Sequence, residues 1–251
     1  MIVIKSPEDL ARMRVSGRLA AEVLGELARK VGPGVTTREL DDLARELMAQ
    51  RGGRSAFFGY RGYPGQTCIS INDEVVHGIP GPRRIQLGDI VSLDVGVVYE
   101  GYVGDNATTV MVGVSDPEVV RLVSTGRRAL EAAIGKAVAG GRLSDISHAI
   151  ESTAREAGYS VVRDFVGHGV GKSMHEDPQI PNFGPPGRGP RLKPGMTLAI
   201  EPMINRGGHE VEVLGDGWTV RTRDRSLSVH FEHTIAVGEG AAEVLTWAGP
   251  K

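Results

Sequence analysis

The chain has 251 residues, of which 40% are hydrophobic, 24% charged and 5% aromatic, which is usual for a globular protein. Its formal net charge of -2 provides no basic footprint for nucleic acid, and we find no nucleic-acid-binding motif. No apolar stretch approaches about 18 residues, which excludes a membrane-spanning helix. Cys68 is the single cysteine and the first residues do not resemble a signal peptide, so we expect a cytoplasmic protein without internal disulfides.

Four stretches have the apolar spacing that is typical of amphipathic helices. The first begins after Ser6, a preferred N-cap residue, with Pro7 in its first turn. Gly158 supplies a left-handed end for the fourth. The predicted helices run from residue 7 to the Gly-Pro-Gly stop at 32–34, from a cap at Thr36 or Thr37 to the glycine pair at 52–53, over 119–138 and over 144–157.

The strand signals lie between and after the helices. Residues 90–99 and 102–112 flank a two-residue turn, Glu100-Gly101, and predict a β-hairpin. Further strands are predicted over 197–204, 218–223 and 229–237. Because helices and strands come in blocks instead of alternating, we expect an α+β fold with a mostly antiparallel sheet. No linker divides the chain, so we predict a single domain over residues 1–251.

A weak internal repeat relates the two halves of the chain. In segments 87–94 and 194–201 a glycine opens a predicted strand and an acid follows it six residues later, Asp94 in one and Glu201 in the other. Upstream of each segment lies a His-Gly-aliphatic triplet, at 77–79 and at 168–170. The repeat predicts two duplicated half-domains whose acids meet near a pseudo-twofold axis.

The hairpin predicts two neighbouring carboxylates. If Tyr99 faces Tyr102 across the turn, Asp94 lies opposite Ala107, and Asp105 becomes its diagonal neighbour at roughly 7–8 Å. Two carboxylates that point at one place repel each other unless a positive charge lies between them. The alternative is a pair of solvated acids, but the strand around Asp94 is otherwise apolar.

Three further residues complete a set of possible metal ligands. Glu201 and Glu232 lie inside strand patterns, and glycines flank His168 on both sides. One strand acid or a lone histidine is more often structural or simply exposed. Four acids with one imidazole instead balance the charge of two divalent cations, and these ligands suit Mn, Fe, Co or Zn. The combination is typical of a two-metal hydrolase.

The set Asp94, Asp105, His168, Glu201 and Glu232, in this order, resembles the dinuclear metal site of the methionine aminopeptidases. Motifs around it are similar to that family as well: Gly59-Tyr60 with Gly62-Tyr63-Pro64, Ser70-Ile71-Asn72, His77-Gly78-Ile79-Pro80, Gly167-His168-Gly169-Val170-Gly171, Ile200-Glu201-Pro202-Met203 and Asp216-Gly217-Trp218-Thr219. The resemblance covers nearly the whole chain, and the short length is similar to the bacterial type I enzymes. It implies the pita-bread (creatinase/aminopeptidase) fold, with duplicated half-domains and a curved antiparallel sheet flanked by helices.

The resemblance also implies how the ligands divide. Asp94 and Asp105 would bind one divalent ion, and His168 and Glu201 a second. Asp105 and Glu232 would bridge the two. A monovalent cation near Asn72 and Ser228 is a further implication of the family pattern.

The implied reaction is hydrolysis of the first peptide bond of a nascent polypeptide, with removal of the initiator methionine when the second residue is small and uncharged. Glu201 would move the proton, His77 would hold the amide nitrogen beyond the scissile bond, and His175 would hold the carbonyl oxygen. The methionine pocket would be formed by Tyr60, Tyr63, Cys68, Met174 and Trp218. Cys68 can equally be read as a small buried hydrophobic residue.

Two positions depart from the family pattern. Phe57 stands where many relatives carry cysteine, and Met174 where many carry phenylalanine, so the shape of the pocket is in question while the metal ligands are not. We expect a monomer that acts after deformylation, near the ribosome. The alternatives are an Xaa-Pro peptidase of the same fold, which usually has an additional N-terminal domain, and a non-enzymatic relative that binds RNA or ribosomes, which typically lacks the ligands.

Overall fold

The computed structural model describes residues 1–249 and has four helices where the sequence predicts them. The Ser6 and Thr36 side chains cap the first two helices by accepting from backbone N–H groups three residues on. The third ends at Ile134, earlier than predicted, because Gly135 and Lys136 form a turn. The helices are α1 (Pro7–Lys30), α2 (Thr37–Gln50), α3 (Pro117–Ile134) and α4 (Leu143–Glu156).

Fifteen strands, most of them short, lie outside the helices in the described chain. They are β1 (Arg54–Ser55), β2 (Cys68–Ile71), β3 (Glu74–Val76), β4 (Ile90–Tyr99), β5 (Tyr102–Met111), β6 (Ser160–Val161), β7 (Gly167–Gly169), β8 (Glu176–Ile180), β9 (Thr197–Ile200), β10 (Met203–Asn205), β11 (Val211–Val213), β12 (Val220–Thr222), β13 (Ser228–His230), β14 (Glu232–Ala236) and β15 (Glu243–Val244). A 3₁₀ turn, Tyr60–Gly62, lies between β1 and β2.

The main sheet has nine strands, all antiparallel to their neighbours. Its order is β1-β4-β5-β14-β9-β7-β8, with β2 also on β4 and β15 on β14. Two three-stranded sheets, β13-β10-β6 and β11-β12-β3, lie beside it. The sequence therefore predicted the fold class correctly.

The hairpin β4–β5 has the predicted register. Tyr99 pairs with Tyr102 and Asp94 with Ala107. The turn residues Glu100 and Gly101 have φ values of 45° and 82°, as a two-residue hairpin turn requires. Asp94 and Asp105 therefore share one face of the sheet.

Two of the predicted strands are each broken in the middle. The predicted strand 197–204 stops at Glu201, because Pro202 has no N–H for a ladder, and continues as β10 in a different sheet. The predicted strand 229–237 breaks at Phe231, whose N–H donates to the Pro202 carbonyl at 3.3 Å. The two breaks therefore lie opposite each other, and they leave Glu201 and Glu232 at strand ends.

The third correction concerns the predicted strand 218–223, which is shorter in the structure than in the prediction. Its first two residues, Trp218 and Thr219, donate their N–H groups to the Asp216 side chain at 2.9 Å each. Because of this turn, the strand (β12) begins only at Val220.

The order of strands confirms the duplication. The hairpin partners β4 and β5 lie on one side of the sheet centre, and β9 and β14 mirror them on the other, with β5 against β14. Asp94 on β4 thus corresponds to Glu201 after β9. The His-Gly triplets are not equivalent, because His168 lies in β7 whereas His77 follows β3 outside any strand.

Alternation along the strands puts the helices and the acids on opposite faces of the sheet. Val91, Leu93 and Val95 of β4 pack with α1 and α2, whereas Asp94 points the other way. A second apolar cluster joins α3 and α4 to β9 and β14. Among residues 1–249, no helix combines the length and apolar character needed to cross a membrane.

Candidate metal centre and substrate cavity

A cavity of about 170 Å³ opens on the face of the main sheet away from the helices. Every residue that the sequence predicts for divalent-metal binding, catalysis or the methionine pocket lines it. The lining is formed by Phe57, Tyr60, Arg61, Tyr63, Cys68, His77, Asp94, Asp105, His168, Met174, His175, Glu201, Trp218 and Glu232. Polar and charged groups lie on the sheet, and aromatic rings come from the segments before β2 and before β12.

Four carboxylates, those of Asp94, Asp105, Glu201 and Glu232, share the floor of the cavity. Asp105 and Glu232 are each 2% exposed, and Asp94 Oδ1, Asp105 Oδ1 and Glu232 Oε1 have no hydrogen-bond partner among the described residues. Burial, together with repulsion between the carboxylates, raises the pKa of Asp94, Asp105 and Glu232 well above the usual values. Burial raises the pKa of Glu201 to about 8. Unpartnered buried oxygens of this kind fit divalent cations.

His168 presents one ring nitrogen to these carboxylates. Its Nε2 atom lies 3.7 Å from Asp105 Oδ2 and 3.6 Å from Glu201 Oε1. Its Nδ1 atom is 2.9 Å from the Gly169 carbonyl, which fixes the ring with Nδ1 as the donor and leaves Nε2 free to act as a ligand. Burial lowers the pKa of His168 to about 3, so the imidazole is neutral at physiological pH. Ligand atoms of Asp105, His168 and Glu232 all lie within 4.8 Å of one another.

The other two predicted histidines flank this centre. His77 has a left-handed backbone (φ 60°), and its ring lies 5.5 Å from that of Phe165 and 6.2 Å from that of Trp218. Burial lowers the pKa of His77 to about 4. His175 lies with its ring centroid 4.3 Å from that of His168. Desolvation, and then the Arg61 charge, lowers the pKa of His175.

Hydrogen bonds and ring contacts hold the apolar wall of the cavity, which is formed by Phe57, Tyr60, Tyr63, Cys68, Met174 and Trp218. The Tyr63 hydroxyl donates to the Thr67 and Gly78 carbonyls at 3.0 and 2.9 Å, and its ring meets Trp218 edge-on at 5.1 Å. Cys68 is buried opposite Asp94 on the adjoining strand, and burial raises the pKa of its thiol. This thiol is therefore neutral and acts as an apolar wall atom.

The two departures from the family pattern both lie in this wall. Phe57 packs against Gly96, where an added Cβ would come within 2.7 Å of its ring. Met174 is buried on the side of the wall that carries His175. Both side chains therefore line the pocket and help to set its shape.

Sequence reasoning missed two charged or titratable residues at the site. His230 is buried, with Nε2 unpartnered and 3.6 Å from Glu201 Oε2. In the sequence His230 lies two residues before Glu232, which in a continuous strand would put both side chains on one face. The strand is in fact broken between them. Arg61 lies at the rim of the cavity, and nothing in the sequence distinguishes it from other surface arginines.

Asn72 and Ser228 come together away from the cavity lining. The Ser228 N–H donates to the Asn72 carbonyl at 2.9 Å. The Asn72 side chain is engaged by Asp89 and by the Ile90 N–H. The predicted pair is thus adjacent in space.

Comparison with known proteins identifies the family. The profile of "Metallopeptidase family M24" matches residues 11–239. The chain belongs to metallopeptidase family M24. Within it, the chain is 47% identical to "Methionine aminopeptidase 1" of Bacillus subtilis over 246 residues, 98% of this chain and 99% of that one. The crystal structure of methionine aminopeptidase from Thermotoga maritima has a TM-score of 0.97 at 47% identity, covering 98% and 99% of the two chains.

These likenesses confirm the resemblance to the bacterial type I methionine aminopeptidases, and with it a hydrolytic metalloenzyme. The prolidase of Pyrococcus furiosus has a TM-score of 0.81 at 23% identity, and this chain covers 66% of its length. That likeness concerns the fold alone. M24 membership and the Asp105–His168–Glu232 group together support the use of divalent metal.

Proposed function

We propose that this chain removes N-terminal methionine from polypeptides whose second residue is small and uncharged, by metal-assisted hydrolysis of the first peptide bond. The observation that carries the proposal is the group of buried, unpartnered carboxylates at the floor of an apolar cavity. The names of its relatives within M24 support the same reaction.

Two divalent ions fit the donor set. Asp94 and Asp105 would hold one, His168 and Glu201 the other, and Asp105 and Glu232 would reach both. Cobalt, manganese, iron and zinc all accept carboxylate and imidazole ligands. When bound, such ions supply Lewis acidity and lower the pKa of water.

The protein's own groups then account for binding and proton transfer. Glu201 is placed to accept a proton and return it to the leaving amine. His175 carries an N–H that can donate to the carbonyl oxygen as negative charge develops there. His77 is neutral because burial lowers its pKa, and it holds the amide nitrogen beyond the scissile bond.

The apolar wall selects the first residue. Tyr60, Tyr63, Cys68, Met174 and Trp218 offer polarizable surface that suits an unbranched thioether. A charged side chain would lose its hydration there without a partner. His77, whose ring contacts those of Phe165 and Trp218, would crowd the second residue and so favour a small one.

Several expectations follow from this function. The substrates are nascent polypeptides whose formyl group has been removed, since the free amine must lie near Asp94. We propose a cytoplasmic monomer, working near the ribosome, with one catalytic domain over residues 1–251. A monovalent cation beside Asn72 and Ser228 belongs to the same proposal.

Peptide series test the proposal. We expect Met-Ala-Ser to be cleaved after the methionine, Met-Gly and Met-Ser peptides similarly, and Met-Leu, Met-Lys and N-formyl peptides poorly. Norleucine should replace methionine with a small loss, at the lower end of the about 1–3 kcal/mol that a single methylene is worth in an apolar pocket. Dialysis against a chelator should abolish cleavage, and Co, Mn or Fe should restore it.

Three outcomes would contradict the proposal. Full activity after exhaustive chelation, with metal analysis near zero, would exclude the metal mechanism. Preference for a proline in the second position and no selection for methionine would favour the Xaa-Pro peptidase. Absence of cleavage together with retention on ribosomes would favour the non-enzymatic relative.

A further inference from the structure

The cavity reaches solvent beside Arg61 and His175. Of its fourteen lining residues these two are exposed, whereas the other twelve are buried or half-buried. A peptide whose first side chain fills the buried end of the cavity therefore leaves past Arg61 and His175. The residues beyond the scissile bond meet this part of the rim.

Arg61 is fixed in place at this rim. Its backbone is left-handed (φ 48°), between Gly59 and Gly62, which are also left-handed. Its guanidinium carbon lies 5.4 Å from the centroid of the Tyr60 ring. The Tyr60 hydroxyl in turn shares a hydrogen bond of 2.9 Å with His175 Nδ1. The cation is thus held on the side of the rim next to the reacting bond.

The Arg61 charge has no ion-pair partner within residues 1–249. Several other exposed arginines have one; for example, Arg14 lies 2.6 Å from Glu243, and Arg83 lies 2.8 Å from Glu74. For Arg61 the contact within the described chain is the Tyr60 ring. A fixed guanidinium without a carboxylate offers a bidentate partner to an incoming acidic side chain.

We propose that Arg61 is a specificity-determining residue, which favours substrates with an acidic side chain at their third or fourth position and disfavours basic ones. The inference rests on the proposed aminopeptidase function. Because the ion pair between Arg61 and the substrate would form at a solvated rim, its contribution to binding free energy is small and is screened by salt. We expect kcat/KM for an aspartate peptide to exceed that for a lysine peptide by about three- to tenfold at low salt, mainly through KM.

The experiment uses the metal-loaded full-length enzyme and pentapeptide amides. Met-Ala-X-Gly-Ser and Met-Ala-Gly-X-Ser carry Asp, Asn or Lys at X, and the amide removes the C-terminal charge. The readout is the Asp/Lys ratio of kcat/KM within each enzyme, which is independent of the active fraction. Arg61→Gln and Arg61→Lys are compared with Arg155→Gln, which removes an exposed charge on α4, away from the cavity.

The expected result is a ratio near one for Arg61→Gln, with preference retained in Arg61→Lys and in the Arg155→Gln control. In the unmodified enzyme the ratio should also fall towards one at 0.5 M salt, which is on the order of the concentration at which the Debye length drops below 5 Å. Equal rates for Asp and Lys peptides in the unmodified enzyme would overturn the inference, and so would a ratio that Arg61→Gln leaves unchanged. Failure to cleave even the Asn peptides would instead contradict the proposed function.

Discussion

His77 lies in the cavity without belonging to the carboxylate floor. Its ring contacts Phe165 and Trp218, and within residues 1–249 it forms no ion pair with a carboxylate. We therefore expect His77→Ala to keep its metal content while kcat falls by roughly 10²–10³, as is usual when a transition-state hydrogen bond is lost. Metal analysis together with steady-state kinetics checks this, with His209→Ala as a control at a half-buried histidine outside the cavity lining. Loss of metal together with activity would make His77 a ligand.

Glu232, in contrast to His77, is expected to affect metal binding directly. It is 2% exposed, next to Asp105 and His168, and one of its oxygens has no partner. We expect Glu232→Ala to reduce the number of divalent ions bound per chain, because it removes a carboxylate that reaches both positions. Calorimetric titration of the metal-free protein with Mn²⁺ measures the stoichiometry. Glu156→Ala, an exposed acid on α4, should leave it unchanged, and an unaltered stoichiometry in Glu232→Ala would contradict the bridging role.

The sequence singles out the acids more readily than the rim residues, for physical reasons. An acid in an otherwise apolar strand is conspicuous, since solvation does not explain it, and this picks out Asp94 and Glu201. His230 lies beyond a strand break, so its approach to Glu201 depends on how two sheets meet. The exposure of Arg61 at the cavity mouth depends on the path of a glycine-rich turn. Neither can be derived from spacing along the chain.

At the scale of elements, the hairpin β4–β5 is set against α1 by a close backbone contact. A Cβ added at Gly104 would lie 2.5 Å from the Gly17 Cα atom of α1. Gly104 directly precedes the proposed ligand Asp105. We expect Gly104→Ala to destabilise the protein by about 1–3 kcal/mol, as overpacking does, and to weaken metal binding.

Thermal unfolding with and without Mn²⁺ tests this contact. Gly101→Ala would be a poor control, because Gly101 has a φ of 82°. Gly25 also lies on α1, and there the added methyl group has space, so Gly25→Ala should be neutral or stabilising. Unchanged stability of Gly104→Ala would mean that α1 can shift away freely, and the packing would then not fix Asp105.

The register of this hairpin was predictable because a two-residue turn fixes the pairing of every residue behind it. The strand breaks at Pro202 and Phe231 were not predicted. Proline marks the first, but the second follows from pairing with a residue 29 positions earlier (231 minus 202). Local patterns predict elements formed by neighbours, whereas breaks imposed by tertiary partners require the assembled sheet.

At the scale of the whole molecule, the pseudo-twofold arrangement brings four acids together at the centre of the sheet. Each half contributes two, Asp94 with Asp105 and Glu201 with Glu232. The repeat in the sequence predicted that Asp94 and Glu201 correspond, although it gave no equivalence for His77. Repulsion between these buried carboxylates therefore lowers the free energy of unfolding, and bound cations offset that loss.

This cost makes the stability of the metal-free protein depend on pH. The pKa of Glu201 is about 8 in the folded state and 4.5 in its ordinary setting, so the folded state retains a proton that the unfolded chain has lost. Stability from this group is present below pH 4.5 and disappears as pH rises through 8. The pKa values of the buried histidines are lowered, so their opposite effect is confined to acidic pH, below about 6.5.

Between pH 7 and 9 we therefore expect the Tm of the metal-free protein to fall, by about 2–4 °C for each kcal/mol lost. Each proton contributes on the order of 1 kcal/mol per pH unit while the folded state still holds it. Calorimetric scans in chelator across this range measure the slope. With saturating Mn²⁺ the fall should disappear, because the ions keep the carboxylates ionised across this pH range, and Glu201→Gln should reduce the fall in chelator. A Tm that is constant or rises between pH 7 and 9 in the absence of metal would show that these carboxylates are already ionised in the folded protein.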